Sequence, residues 1–116
     1  INYHPDLPKS CPPADAEPCN GTVYRMVRSN PPNSDDFLSF CECNRANTNC
    51  CQAWGLSVWT EKAAAQHARK LIPFFRKQYI VAFELGPSDG CLKPTPSGNQ
   101  PQHWTWCKSI DVATCT

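Results

Sequence analysis

The sequence lacks an excess of charge of either sign. Lysine and arginine number 11, aspartate and glutamate number 10, and the formal net charge is +1. A protein that holds nucleic acid through its phosphates presents a field of basic side chains, and this sequence has no long basic run. We therefore expect no nucleic-acid binding.

Long hydrophobic runs are also missing. The longest apolar stretches, such as residues 79–85, are far shorter than the roughly 20 residues that a membrane-spanning helix needs. No internal repeat and no secretory leader can be recognised. The length of 116 residues fits one domain that can bury a core. We expect a single domain without membrane contact.

Cysteine is the residue present in unusual number. A closed set of disulfides would use an even number, and nine leaves one thiol over. Zinc is not expected, because Cys41-x-Cys43 and Cys50-Cys51 lack the usual paired spacing of zinc ligands. Besides disulfides and a zinc site, a third interpretation is that the cysteines are reduced and buried as small apolar side chains. The odd count favours an intracellular protein, and the alternative is a secreted protein stabilised by disulfides. The nine are Cys11, Cys19, Cys41, Cys43, Cys50, Cys51, Cys91, Cys107 and Cys115.

The first half of the chain is predicted to contain an arm, a strand and a helix. Residues 1–21 are rich in proline and predict an irregular N-terminal arm. The alternation of residues 22–28 predicts a strand. A helix is expected to begin at Asn33 or Ser34, where Ser34 can cap the first turn, and to bury Phe37 and the apolar positions that follow.

The second half predicts a helix between strands. Thr60 is expected to cap a helix over residues 61–72, with a packed stripe of alanines and Leu71 or Ile72. The apolar strand at residues 78–85 is expected to be central in the sheet. Residues 93–101 read as a loop. Residues 103–107 and 110–114 read as closing strands.

This order of elements predicts the fold class. We expect an α+β domain over residues 22–116, with a small, mainly antiparallel sheet and two helices. The arm of residues 1–21 precedes it.

Two local patterns suggest a ligand site. Arg25 lies within a strand and is either a solvated edge residue or a bidentate clamp for phosphate or carboxylate. Ser57 and Thr60 lie on a strand that leads into the second helix. They either cap and pack, or they border a cleft at a helix N-terminus suited to anions.

These residues carry a resemblance to a known family. A strand with Tyr24-Arg25, then the segment Gly-Leu-Ser-Val-Trp-Thr of residues 55–60 entering an alanine-containing helix, then an apolar strand, resembles the ADP-ribosyltransferase-like fold over residues 22–85. The resemblance implies NAD binding through Tyr24, Arg25, Ser57 and Thr60, in a toxin, an effector or an inactive relative. The chain also looks similar to small uncharacterised bacterial proteins.

The catalytic candidates are Glu84 and His103. Transferases of this family usually carry a glutamate on a late strand, and residues 102–116 contain none. Glu84, on the preceding apolar strand, is either a general base or a polar residue on a half-exposed strand. His103 is the best acid–base candidate because its ordinary pKa lies near neutrality, and it could also pair with a thiol.

A noncatalytic protein-binding module is the alternative function. Trp104 and Trp106 alternate along one strand and therefore share a face, where they either build the core or form an exposed binding platform. The loop at residues 93–101 is a second possible contact for a protein partner.

Overall fold

The computed structural model describes residues 3–5, 7–8, 11–39, 41–42, 54–98 and 100–109. Six strands form one sheet in the order β1-β5-β6-β3-β2-β4, and every pair is antiparallel. The mainly antiparallel sheet is therefore confirmed. The strands are β1 (Glu17–Pro18), β2 (Gly21–Val27), β3 (Leu56–Trp59), β4 (Tyr79–Leu85), β5 (Gly90–Pro94) and β6 (His103–Lys108).

Alternation along the strands separates the two faces of the sheet. In β2, Val23 and Val27 lie in the main core, whereas Tyr24 and Met26 face the α-helix. Leu56, Val58 and Trp106 join the valines on the main-core face and are almost fully buried. Burial of aromatic and branched side chains on this face supplies the largest favourable contribution to folding.

The α-helix covers the opposite face. Helix α1 (Lys62–Leu71) packs Ala65 and Ala68 against Met26 and Trp59, because alanine lets the helix approach the sheet closely. The predicted stripe of Ala64, Ala68 and Leu71 or Ile72 is correct at the two alanines. Leu71 is 45% exposed, and its alternative Ile72 is half-buried. The predicted cap is wrong: Glu61 is the N-cap residue, its side chain makes no capping hydrogen bond, and Thr60 is exposed.

The predicted first helix is a short turn. Residues Ser34–Phe37 form a 3-10 helix, and the N-cap residue is Asn33 rather than Ser34. The Asp36 carboxylate accepts hydrogen bonds from the backbone N–H groups of Asn33 and Arg28, 2.9 Å each. This carboxylate ties the turn back to the end of β2, and Leu38 leaves it in extended geometry. The expectation of two helices is therefore not confirmed, since α1 is the single α-helix among the residues described.

Strand β4 lies at an end of the sheet and not at its centre. It pairs along its full length with β2, and no other described strand bonds to it. Its apolar residues pack mainly on one face, where Val81, Phe83 and Leu85 meet the main core. On the other face, Ala82 and Glu84 are exposed. Phe83 contacts Phe37 and Trp106 on one face, with ring centroids 5.6 Å apart in both pairs, and Ile80 packs on the α1 face.

The N-terminal arm and the region after β4 each contain a strand that the sequence did not predict, and both strands include a proline. Glu17–Pro18 within the arm pairs with β5. Strand β5 runs through Gly90–Pro94, and its last two residues fall in the segment that was expected to be a loop. The second closing strand, expected at residues 110–114, falls outside the described residues.

In the described part of the chain, no helix is long and apolar enough to cross a membrane.

Gly90 allows β5 and β6 to approach closely, and its replacement tests this contact. Its φ is +124°, and a Cβ there would lie 2.0 Å from the carbonyl oxygen of Cys107. We expect Gly90→Ala to lower the free energy of unfolding by about 2–4 kcal/mol through backbone strain and overpacking. Urea denaturation followed by tryptophan fluorescence measures the loss.

Gly98→Ala is the matched control, because its Cβ would meet no atom within 4 Å and its φ is not in the left-handed region. Equal stability of the two variants would contradict the close approach at Gly90.

Candidate functional site

A cleft opens where β2 and β3 diverge. The two strands share one registered pair, Tyr24 with Trp59. Beyond it, toward Val27 and Leu56, they separate around a cavity of about 490 Å³. A volume of this size lies within the usual range for small-molecule sites. The walls come from the end of β2, the start of β3, the turn that holds Asp36 and the segment after α1.

Arg25 crosses this gap. Its Nε donates to the carbonyl oxygen of Asp36 at 3.0 Å, and its Nη1 donates to the carbonyl oxygen of Ser57 at 2.8 Å. The side chain therefore replaces the missing strand pairing and joins β3 to the turn. The guanidinium offers five N–H donors, and no hydrogen bond links its Nη2 to any described residue.

Among the described residues, Arg25 has no ion-pair partner. The ion pairs found among the described residues join Lys93 to Asp15 and Lys108 to Glu42, so none includes this guanidinium. Burial lowers the pKa of Arg25 to about 10, and the nearby charge of Asp36 acts in the opposite direction. The guanidinium is therefore charged at neutral pH, half-buried and held by neutral carbonyl groups.

Aromatic side chains line the opposite side of the cleft. Trp59 and Phe75 meet edge to face, with ring centroids 5.8 Å apart. Phe74 is 61% exposed, and the Arg28 guanidinium lies 5.8 Å from the centre of its ring. The cleft thus combines two cationic groups with exposed aromatic surface, a combination suited to a ligand with both an anionic group and a planar ring.

Of the four residues expected to bind a cofactor, two line this cleft. Arg25 and Ser57 are both in its wall, joined through the Ser57 carbonyl group. Tyr24 packs toward α1, and Thr60 is an exposed residue that follows β3. Neither borders the cavity.

Glu84 lies away from the cleft. It stands opposite Thr22 in the β2–β4 pairing and accepts a hydrogen bond from the Thr22 hydroxyl group. Both side chains are exposed, and neither is in the wall of the cavity. This position corresponds to a polar residue on a half-exposed strand.

His103 belongs to a separate polar cluster on β6. Its Nδ1 donates to the carbonyl oxygen of Thr95 at 3.1 Å and lies 2.8 Å from the Thr95 hydroxyl group, which in turn bonds to Thr105 at 2.8 Å. The ring also meets Trp59 edge to face, with centroids 5.3 Å apart. Trp59 lines the cavity and contacts His103, whereas His103 itself does not border the cavity.

The two tryptophans of β6 pack inward. Trp106 is 1% exposed, and its Nε1 donates to the carbonyl oxygen of Asp89 at 3.0 Å. Trp104 is half-buried against the same core. These positions match the core alternative and leave little indole surface for a platform. In the segment expected to be a loop, Lys93 and Pro94 belong to β5, and Ser97 pairs with Gln100.

Sequence reasoning missed the residues that shape the site around Arg25. Asp36 stands three residues after Asn33 and completes a capping box, a spacing that is visible in the sequence. The roles of Trp59 and Phe74 carried no comparable signal, because their position depends on how α1 returns the chain to the sheet.

The cysteines are in mixed states. Cys11 is disulfide-bonded, whereas Cys19, Cys91 and Cys107 carry free thiols. These four cysteines are therefore neither all reduced nor all in disulfides. Across the described ranges, no group of three or more His, Cys, Asp or Glu side chains is placed to hold a metal ion.

Comparisons of the chain with known protein families, curated proteins and solved structures find no match in any of the three.

The partial burial of His103 makes a testable prediction about pH. Desolvation lowers its pKa below the ordinary value of about 6.5, although its bond to Thr95 opposes the shift. The unfolded chain therefore takes up the proton first as pH falls. Stability contributed by neutral His103 is complete above pH 6.5 and declines below it.

We expect His103→Gln to reduce the loss of stability between pH 7 and pH 5, as measured by urea denaturation at each pH. His67→Gln is the control, since His67 is exposed on α1. An unchanged pH profile in His103→Gln would contradict the assignment.

Proposed function

We propose that this domain binds an anionic ligand in the cleft between β2 and β3, with Arg25 as the charged contact. The observation that carries the proposal is the half-buried Arg25 guanidinium, which is held by two backbone carbonyl groups and paired with no carboxylate in the described residues. A charge in such a place is costly unless another charge or several hydrogen bonds offset it.

The geometry favours a phosphate or a carboxylate. The bonds to Asp36 and Ser57 fix the plane of the guanidinium and leave Nη2 without a described partner. A fixed, planar fork of N–H donors is suited to two parallel bonds with an oxyanion. Arg28 lies at the same cleft and adds a second cation.

A nucleotide is the ligand class that uses the whole cleft. Its phosphates would contact Arg25, and its base or nicotinamide ring could stack on the exposed ring of Phe74. NAD remains our specific proposal from the resemblance of residues 22–85 to the ADP-ribosyltransferase-like fold. Catalysis has less support, because neither Glu84 nor His103 borders the cavity. We therefore propose an inactive, ligand-binding relative over an active toxin or effector.

A second candidate function is protein binding through an exposed apolar surface. Leu71, Phe74 and Tyr79 are 45%, 61% and 45% exposed. All three belong to the segment of residues 71–79 between the end of α1 and the start of β4, and exposed large apolar side chains are a feature of interaction sites. This surface is a better candidate than Trp104 and Trp106, whose side chains pack on the core.

The disulfide at Cys11 supports the secreted alternative for the compartment. Disulfides persist mainly in oxidising compartments, and structural disulfides in the cytosol are rare. We propose on this basis that the chain matures in an oxidising environment, contrary to the expectation from the odd cysteine count.

The ligand proposal predicts a charge-dependent titration. We expect NAD and inorganic pyrophosphate to bind the wild-type domain in isothermal titration calorimetry, and nicotinamide alone to bind far more weakly. Arg25→Gln should weaken binding by roughly tenfold to a hundredfold, since a charge-assisted hydrogen bond contributes about 1.5–3 kcal/mol.

Arg76→Gln is the control, because Arg76 is exposed and lies outside the cleft wall. Each variant is first checked by circular dichroism, since Arg25 also joins β3 to the turn. Binding that Arg25→Gln leaves unchanged, or no binding of either anion by the wild-type domain, would contradict the proposal. Nicotinamide binding as tightly as NAD would show that the phosphates are not recognised.

A further inference from the structure

Two free thiols face each other on neighbouring strands, away from the cleft. Cys91 on β5 and Cys107 on β6 are registered partners in the antiparallel pairing. Both are buried, at 8% exposure, in one cluster with disulfide-bonded Cys11. The proposed ligand site does not use these thiols.

The backbone around this pair fits a disulfide. Hydrogen bonds in the same register join Ser109 N to Asp89 O at 3.0 Å and Thr95 N to His103 O at 2.9 Å. Hydrogen-bonded pairs alternate along an antiparallel ladder, so Cys91 and Cys107 occupy one of them. Their Cα atoms are then about 5.5 Å apart, and the usual Cα separation across a disulfide is about 5.5–6 Å.

The side chains are already in contact. Cys91 and Cys107 pack in one buried cluster, and Tyr3 packs against it. Gly90 keeps the strands close, because any larger residue would meet the carbonyl group of Cys107. Formation of an S–S bond therefore requires no change of register between β5 and β6.

The two thiols differ in acidity. Interaction with Cys107 and Tyr3 lowers the pKa of Cys91, whereas interaction with Cys91 raises the pKa of Cys107. Since the thiolate is the nucleophile in thiol–disulfide exchange, Cys91 is the attacking group and Cys107 the resolving group.

We propose that Cys91 and Cys107 form a reversible cross-strand disulfide by exchange with a small disulfide such as oxidised glutathione. Cys91 Sγ attacks one sulfur of the small disulfide, whose S–S bond breaks and releases one thiolate. Cys107 then loses its proton, and its Sγ attacks Cys91 Sγ and displaces the second thiolate. Two protein thiols are oxidised, and one small disulfide is reduced to two thiols that take up the two protons.

Cys19 provides an internal comparison. It is a free thiol near Cys91, but it is fully buried in the main core, and burial raises its pKa to about 12. It has no registered thiol opposite it in the pairing of the described strands. We expect it to stay reduced when Cys91 and Cys107 are oxidised.

The test uses the wild-type chain with its Cys11 disulfide intact. The protein is equilibrated in buffers of reduced and oxidised glutathione, blocked with an alkylating agent and mapped by peptide mass spectrometry. We expect loss of two hydrogen atoms and a Cys91–Cys107 linked peptide, both reversed by excess reduced glutathione. Failure to form this link, or exchange that instead joins Cys91 to Cys11, would overturn the proposal.

Single substitutions separate the roles of the two thiols. In Cys107→Ser, a glutathione adduct should accumulate on Cys91 because the second thiol is missing. In Cys91→Ser, the adduct should form at Cys107 at least roughly tenfold more slowly. Cys19→Ala should leave formation of the linked peptide unchanged. Equal adduct rates in the two serine variants would contradict the assignment of Cys91 as the attacking thiol. The wild-type mapping decides the proposal even if a variant fails to fold.

Discussion

The contact on which the site depends is the bridge that Arg25 makes across the gap between β2 and β3. Because the two strands share a single registered pair, the backbone alone does not close the sheet at this point. Arg25 supplies the missing hydrogen bonds by donating to the carbonyl groups of Ser57 and Asp36. One side chain thus holds the gap open at a fixed width and places a positive charge inside it.

The rest of the architecture supports this arrangement from both faces of the sheet. On one face, the Asp36 carboxylate holds the turn against the end of β2 and so fixes one of the two carbonyl groups that Arg25 contacts. On the other, α1 packs through its alanines on Trp59, and the chain returns through Phe74 and Phe75 to complete the aromatic wall. Arg25 thus has a structural role and is also a candidate ligand contact, because its Nη2 has no partner among the described residues.

Sequence patterns located most of the regular structure but not its order in space. Alternation identified β2, and the apolar run identified β4, yet a run of that kind does not distinguish a central strand from a partly exposed end strand. The proline-containing strands β1 and β5 escaped detection because proline argues against a strand unless it lies at an edge or an end. The predicted first helix is a single 3-10 turn, because the chain continues in extended geometry at Leu38.

The candidate site was predictable only in part. Arg25 and Ser57 lie in one cleft wall and are joined through a backbone carbonyl group that no residue pattern reveals. Tyr24 and Thr60 were included through the resemblance to a family, and Glu84 and His103 were the catalytic candidates. None of these four borders the cavity. Tertiary geometry, rather than residue type, decides which polar groups share a cleft.

The most direct test of this account is the nuclear magnetic resonance signal of the Arg25 Nε–H group during titration with pyrophosphate. We predict a distinct, slowly exchanging signal at neutral pH, because this N–H is bonded to Asp36, and a progressive shift as the anion binds. The exposed Arg76 should show no such shift. A signal for Arg25 that stays in place throughout the titration would contradict the claim that its guanidinium is the anion contact.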